Sequence, residues 1–180
     1  AKTLFPYTTL FRSELIGYYG EKIVLLATQL GIGSCWIAET MDWKTLARDE
    51  YNGLKLGIII SIGYAPEKIP LKQEGIRTAI RLRTKKPAQI MTANGTPTEP
   101  KQMPEWFNRG IDAVLACPTA INKLPVVFDL TDGVVSASMP NQRHLIQDYD
   151  LGISKLHFEL AADLKGTWEL GQPGRFIVSE

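Results

Sequence analysis

The chain has 180 residues and a mass of 20.1 kDa, room for one ordinary domain or two tightly packed half-domains. With 44% hydrophobic and 22% charged residues it sits near the globular average, which argues against disorder, collagen and coiled coil. Twenty Lys and Arg against nineteen Asp and Glu leave a net charge of +1, which removes the bulk electrostatic case for nucleic acid.

Residues 1–13 contain no acidic group and no long apolar run, so they make neither a signal peptide nor a membrane span. Residues 3–13 resemble the conceptual translation of a short-read sequencing adapter. Residues 1–13 are therefore expected to be an artefact, with Glu14 the first authentic residue of a gene cut at its 5′ end. From Gly20, the residues Ile23, Leu26, Ala27 and Leu30 fall at helical spacing and predict a helix that buries this face. Gly31 and Gly33 stop it. Asp42 is placed to cap a second helix from Trp43 to about Tyr51. Residues 56–62 are almost continuously apolar, the pattern of a strand covered on both faces, and Gly63 and Pro66 end it.

Between Pro66 and Pro104 the composition turns to Lys, Arg, Pro, Thr and Gly, with Asn94-Gly95 as a turn, and reads as a long connector. Pro104 opens a helix whose apolar face carries Phe107, Ile111, Val114 and Leu115, and Pro118 closes it. Residues 126–128 and 134–135, separated by Asp132-Gly133, predict a hairpin. A last helix is expected over residues 150–164 and a terminal strand over 175–179. An order of elements recurs: Leu26-Ala27-Thr28-Gln29-Leu30 before Trp36, then Leu160-Ala161-Ala162-Asp163-Leu164 before Trp168. Two copies of one supersecondary unit would give a pseudo-symmetric molecule.

Few residues offer chemistry of their own. Cys35 and Cys117 are too few for a disulfide scaffold, match no zinc spacing, fit a reducing compartment and read as buried small hydrophobes. His144 and His157 lack a nearby carboxylate or cysteine cluster, so no metal site is expected, and His157 reads as a packed or hydrogen-bonded histidine. Neither a Gly-x-Ser-x-Gly elbow nor a Walker phosphate loop is present.

Two segments carry a resemblance. Leu30-Gly31-Ile32-Gly33-Ser34-Cys35-Trp36-Ile37, after Gly17-Tyr18-Tyr19-Gly20-Glu21, resembles the flavin-contacting segment of the nitroreductase superfamily. Ala116-Cys117-Pro118-Thr119-Ala120-Ile121-Asn122-Lys123-Leu124-Pro125 resembles that superfamily's small-residue turn with Pro-Ser/Thr and Asn. The branch most similar carries two half-repeats in one polypeptide, arranged like the two subunits of an ordinary dimer.

The resemblance implies an α+β nitroreductase-like fold with a mixed or antiparallel sheet. It divides the chain into a truncated first half-repeat over residues 14–92 and a second over 93–180. It further implies FMN as cofactor, NAD(P)H as electron donor and a small-molecule acceptor such as a nitro compound or quinone. The implied protein is a cytoplasmic monomeric pseudo-dimer without nucleic-acid or membrane partners. Gly33, Ser34 and Trp36, with the backbone of Ile37, Ala38 and Glu39, would meet the flavin on its N5 side. Pro118, Thr119, Ala120 and Asn122 would contact the ring from the second half. Arg83 and Lys85 match the basic pair that holds the flavin phosphate, a task suited to a guanidinium. Glu39 stands where the family usually has glycine, and the family's Arg-x-Ser-x-Arg element is absent. A flavin accepts hydride itself, so no catalytic side chain is required. A non-catalytic flavin-binding module and an inactive truncated fragment are the alternatives.

Overall fold

Helices that meet through small residues approach more closely than helices lined by leucine, and one such crossing organises this chain. The computed structural model describes residues 5–37, 56–64, 85–140 and 147–179, with Gly75, Thr78 and Ala79, and side chains from Arg12 onward. The helix expected over 43–51, and Ala38, Glu39, Arg83 and His144, lie outside the described residues. The described elements are helices α1 (Phe5–Gln29), α2 (Glu105–Ala116) and α3 (Gln147–Ala162) and eight strands. Strands β1 (Gly33–Ile37) and β2 (Ile59–Gly63) form one antiparallel pair. The others are β3 (Met91–Ala93), β4 (Thr96–Pro97), β5 (Val127–Thr131), β6 (Val134–Ser138), β7 (Gly166–Trp168) and β8 (Gly174–Val178). They form a six-stranded sheet in the order β4-β3-β5-β6-β8-β7, antiparallel except for β3 beside β5, so the sheet is mixed and the architecture α+β.

The hairpin forms where Asp132-Gly133 predicts it, because both residues adopt the positive φ, 49° and 79°, that a tight turn between twisted strands requires. Helix α2 follows Pro104 and buries Phe107, Gly110, Ile111 and Val114. Helix α3 is buried along most of its length because α1, α2 and the sheet all cover it. Its Phe158 stacks on Phe128 of β5, with centroids 4.6 Å apart, and meets Phe107 of α2 edge to face at 5.2 Å. A Cβ on Gly110 would come within 2.6 Å of the Phe158 ring, so glycine there sets the α2–α3 spacing.

The tightest approach is between α1 and α3. A Cβ on Gly17 would lie 2.2 Å from the Tyr149 carbonyl oxygen, and one on Gly152 would lie 1.9 Å from the Glu14 carbonyl oxygen. Backbone meets backbone at this crossing, with no side chain able to move aside. Beside it, the buried Lys155 ammonium pairs with Glu14 and donates to the Glu169 carbonyl at 3.0 Å, while Glu14 accepts the Gly171 N–H at 2.7 Å. Burial pulls the Lys155 pKa below its usual range, against the opposing pull of Glu14.

Three expectations need correction. The face of α1 that packs is Glu14, Gly17, Gly20, Glu21, Val24 and Ala27, whereas Ile23, Leu26 and Leu30 are exposed. Close crossing selects small residues, so the large apolar ones lie on the other side, and the helix begins well before Gly20. Second, β2 is half exposed rather than covered on both faces, since it belongs to a two-stranded pair. Third, the latter part of the basic connector is structured, with Ile90 and Met91 fully buried and β3 spanning positions 91–93.

The crossing is tested by Gly152→Ala. Alanine is a better helix former, yet here it should destabilise by about 3 kcal/mol because two backbones must separate. Gly63→Ala, whose Cβ would meet nothing within 4 Å, serves as control and should stay within about 0.5 kcal/mol in urea unfolding.

Candidate functional site

The spine of the site is one face of α3. Asp150, Ser154 and His157 recur at i, i+4 and i+7 and therefore project from the same side of the helix. Each is engaged by a segment from elsewhere in the chain.

On the α1 side, Glu21 is almost fully buried and accepts the Trp36 indole N–H of β1 at 2.9 Å. Its other oxygen lies 2.9 Å from His157 Nε2. Gly20 makes room for the same indole: a Cβ there would be 2.5 Å from the ring. The turn into β1 is set by Gly31 at φ 70°, with the Ile32 N–H reaching the Ala27 carbonyl and the Gly31 N–H the Thr28 carbonyl, a helix-ending motif that glycine favours. One edge of β1 pairs with β2, and its other edge carries no strand among the described residues.

From the end of α2, Cys117 Sγ lies 3.6 Å from Ser154 Oγ, and the Ala120 N–H donates to Asp150 Oδ1 at 2.9 Å. The turn that follows is unusual. Ile121, Asn122 and Leu124 have φ of 50°, 53° and 44°, a left-handed backbone that costs about 1–3 kcal/mol per non-glycine residue. Such a shape persists only where surroundings over-determine it. Here the Asn122 N–H bonds the Thr119 carbonyl at 2.9 Å, the Lys123 N–H the Ala120 carbonyl at 3.2 Å and the Leu124 N–H the Thr119 hydroxyl oxygen at 3.2 Å. Pro118 and Ile121 are exposed, and Thr119, Ala120 and Asn122 are half-buried.

Through Glu21 the structure links Trp36 of β1 to His157 of α3, and through the Ala120 amide it links the 119–124 turn to Asp150 of the same helix. Gly33, Ser34 and Ile37 share β1 with Trp36, and Pro118, Thr119 and Asn122 flank Ala120 in the chain. Lys85 is half-buried, its pKa lowered by burial, and no hydrogen bond or ion pair joins it to either segment among the described residues. Cys117 is buried, and burial, reinforced by the Glu21 and Asp150 carboxylates, pushes its thiol up to about 12, so it is no nucleophile. Cys35, expected to be buried, is exposed, because Trp36 takes the inward position on β1.

Sequence reading finds His157 as a hydrogen-bonded histidine but misses Glu21, Ser154 and Asp150. Acidic residues in the first turn of a helix ordinarily mark a solvated start. Asp150 is instead 3% exposed, and its Oδ2 has no hydrogen-bond partner among the described residues. Burial pushes its carboxyl up to about 7, against the stabilising Ala120 N–H.

With the geometry in place, comparison with known proteins gives the chain its class. A family model described as a putative TM nitroreductase matches residues 10–162, and the chain belongs to that family. A solved structure described as a putative nitroreductase from Thermotoga maritima MSB8 is similar in fold, with a TM-score of 0.62 and 19% identity. That match covers 91% of this chain and 63% of the other, so the chain spans less than two thirds of its neighbour's length. No curated protein matches the chain. Among the described residues, no helix is long and apolar enough to cross a membrane.

Asp150 predicts a pH dependence. Its folded pKa is raised, so between about pH 4 and 7 the folded state holds a proton that the unfolded state has released, and stability falls as pH rises through this window. Asp150→Asn should remove that component. Thermal unfolding at pH 5 and pH 8 should show a smaller loss in the variant than in the parent; equal losses would show that Asp150 ionises normally.

Proposed function

We propose that this chain is part or all of an FMN-dependent oxidoreductase of nitroreductase type. The observation that supports the reading is that β1, through Trp36 and Glu21, and the strained 119–124 turn, through the Ala120 amide, are both tied to side chains on one face of α3. Membership of a nitroreductase family supports it.

The residues present fit a planar cofactor. The edge of β1 that carries no strand among the described residues, at Gly33, Ser34, Trp36 and Ile37, offers backbone groups with small or half-buried side chains around them. The internal bonds of the turn hold Thr119, Ala120 and Asn122 in a fixed arrangement before any ligand arrives, which lowers the entropy lost on binding. Ala38 and Glu39 continue from the end of β1 and would extend the N5-side contact. Lys85, half-buried and without a carboxylate partner among the described residues, suits an anion, and with Arg83 it would hold the phosphate. FMN bound there would supply a hydride-accepting N5, taking electrons from NAD(P)H and passing them to a nitro compound, quinone or similar small acceptor. Buried Glu21, bonded to both Trp36 and His157, ties β1 to α1 and α3.

Titration of the purified chain with FMN, followed by quenching of flavin fluorescence, tests the reading. Saturable binding with NAD(P)H oxidation that accelerates on adding a nitro compound is the expected result. Binding without turnover would make the chain a flavin-binding module, and no binding at all would overturn the assignment. The Arg83→Ala, Lys85→Ala double variant should bind FMN at least tenfold more weakly, as loss of charge-assisted phosphate bonds requires. Unchanged affinity would remove both residues from the phosphate site.

A further inference from the structure

Of the polar groups buried in the described residues, Asp150 is the one whose bonding is incomplete at the very place where the backbone is most strained. Its Oδ1 accepts the Ala120 N–H at 2.9 Å, its Oδ2 has no partner among the described residues, and it is 3% exposed. Ala120 is the hinge of the turn. The three left-handed residues, Ile121, Asn122 and Leu124, follow it directly, and the Lys123 N–H bonds its carbonyl. For the β-branched Ile121 a φ of 50° is a pronounced outlier, since Cβ crowds the backbone in that region. The local amide bonds of the turn move with it. The Asp150 bond ties the turn to α3, an element of fixed position.

We propose that Asp150 is the positioning residue of the flavin-facing turn: its Oδ1 anchors the Ala120 amide to α3 and so fixes where Thr119 and Asn122 present themselves to the ring. The inference rests on the reading that FMN binds at this turn. An ionised carboxylate accepts an amide more strongly than a neutral acid does, so the anchor tightens on ionisation. Desolvation opposes ionisation and brings the group near neutrality. Around it, among the described residues, the titratable groups are Cys117 at the end of α2, Glu21 on α1, and Asp148 and His157 on α3. Glu21 is bonded to His157 and Trp36, and the Cys117 thiol stays protonated across the neutral range. The Asp150→Asn variant separates a proton change at Asp150 from one at Asp148 or His157.

The test reads the Ala120 amide by heteronuclear NMR from pH 5 to pH 9, in the parent and in Asp150→Asn. The parent needs no mutation, so the experiment survives a variant that fails to fold. The resonance is expected to titrate with one midpoint near neutrality in the parent and to stay still in Asp150→Asn. A flat profile in the parent, or a titration that persists in the variant, overturns the anchor. FMN affinity is then measured at pH 8 in the parent, Asp150→Asn and Asp150→Leu. Asparagine retains an acceptor for the Ala120 amide and should stay within about threefold of the parent, whereas leucine retains the volume and removes the acceptor, and should weaken binding roughly tenfold. Equal affinity in all three overturns the positioning role while leaving flavin binding intact. Failure of the parent itself to bind FMN overturns the flavin reading instead, and the two failures are told apart by the parent alone.

Discussion

Everything in the described structure hinges on the contact between the backbones of α1 and α3. Two glycines, Gly17 and Gly152, leave no side chain between the helices, and a single added methyl group at either would reach within 2.2 Å of a backbone oxygen. The closeness has consequences on both sides. It buries Glu14 and Lys155 together, so their opposite charges are held in a low-dielectric setting where loss of either would strand the other. It also brings Glu21 within reach of His157, and through Glu21 it fixes Trp36 and the strand that carries it. The position of β1 is thus a consequence of the helix crossing rather than of the sheet, to which β1 does not belong.

The second half of the site is fixed differently. Hydrophobic packing of α2 against α3, through Gly110, Phe107 and Phe158, delivers Cys117 to Ser154. Beyond that point a single 3-10 turn over Ala120–Asn122 and the buried Leu124 side chain are joined by hydrogen bonds in holding the chain. Three non-glycine residues in the left-handed region would relax if released, so the bonds from Thr119, Ala120 and Asp150 must together outweigh the strain.

Much of the fold is legible in the sequence where burial and periodicity agree. Helix α2 shows its Phe107, Ile111 and Val114 stripe, and the β5–β6 hairpin shows Asp132-Gly133 between two apolar runs. In α1 the periodicity marks a helix but names the wrong face, because at a close crossing the packed residues are glycine and alanine while Ile23, Leu26 and Leu30 lie outside. Strands β3, β4 and β7 have two or three residues each, too few for alternation to register. In the candidate site, the Gly33 and Pro118 segments are recognisable by their motifs. Glu21 and Asp150 are not, since a carboxylate on a helix reads as solvated until tertiary structure covers it.

A crystal structure of the chain grown with FMN tests the convergence of the two segments most directly. The tricyclic ring is predicted to lie between the edge of β1 facing away from β2 and residues 119–122, with Asp150 still bonded to the Ala120 amide behind it. A ring bound elsewhere on the chain, or β1 and the turn found on different faces of α3, would contradict it.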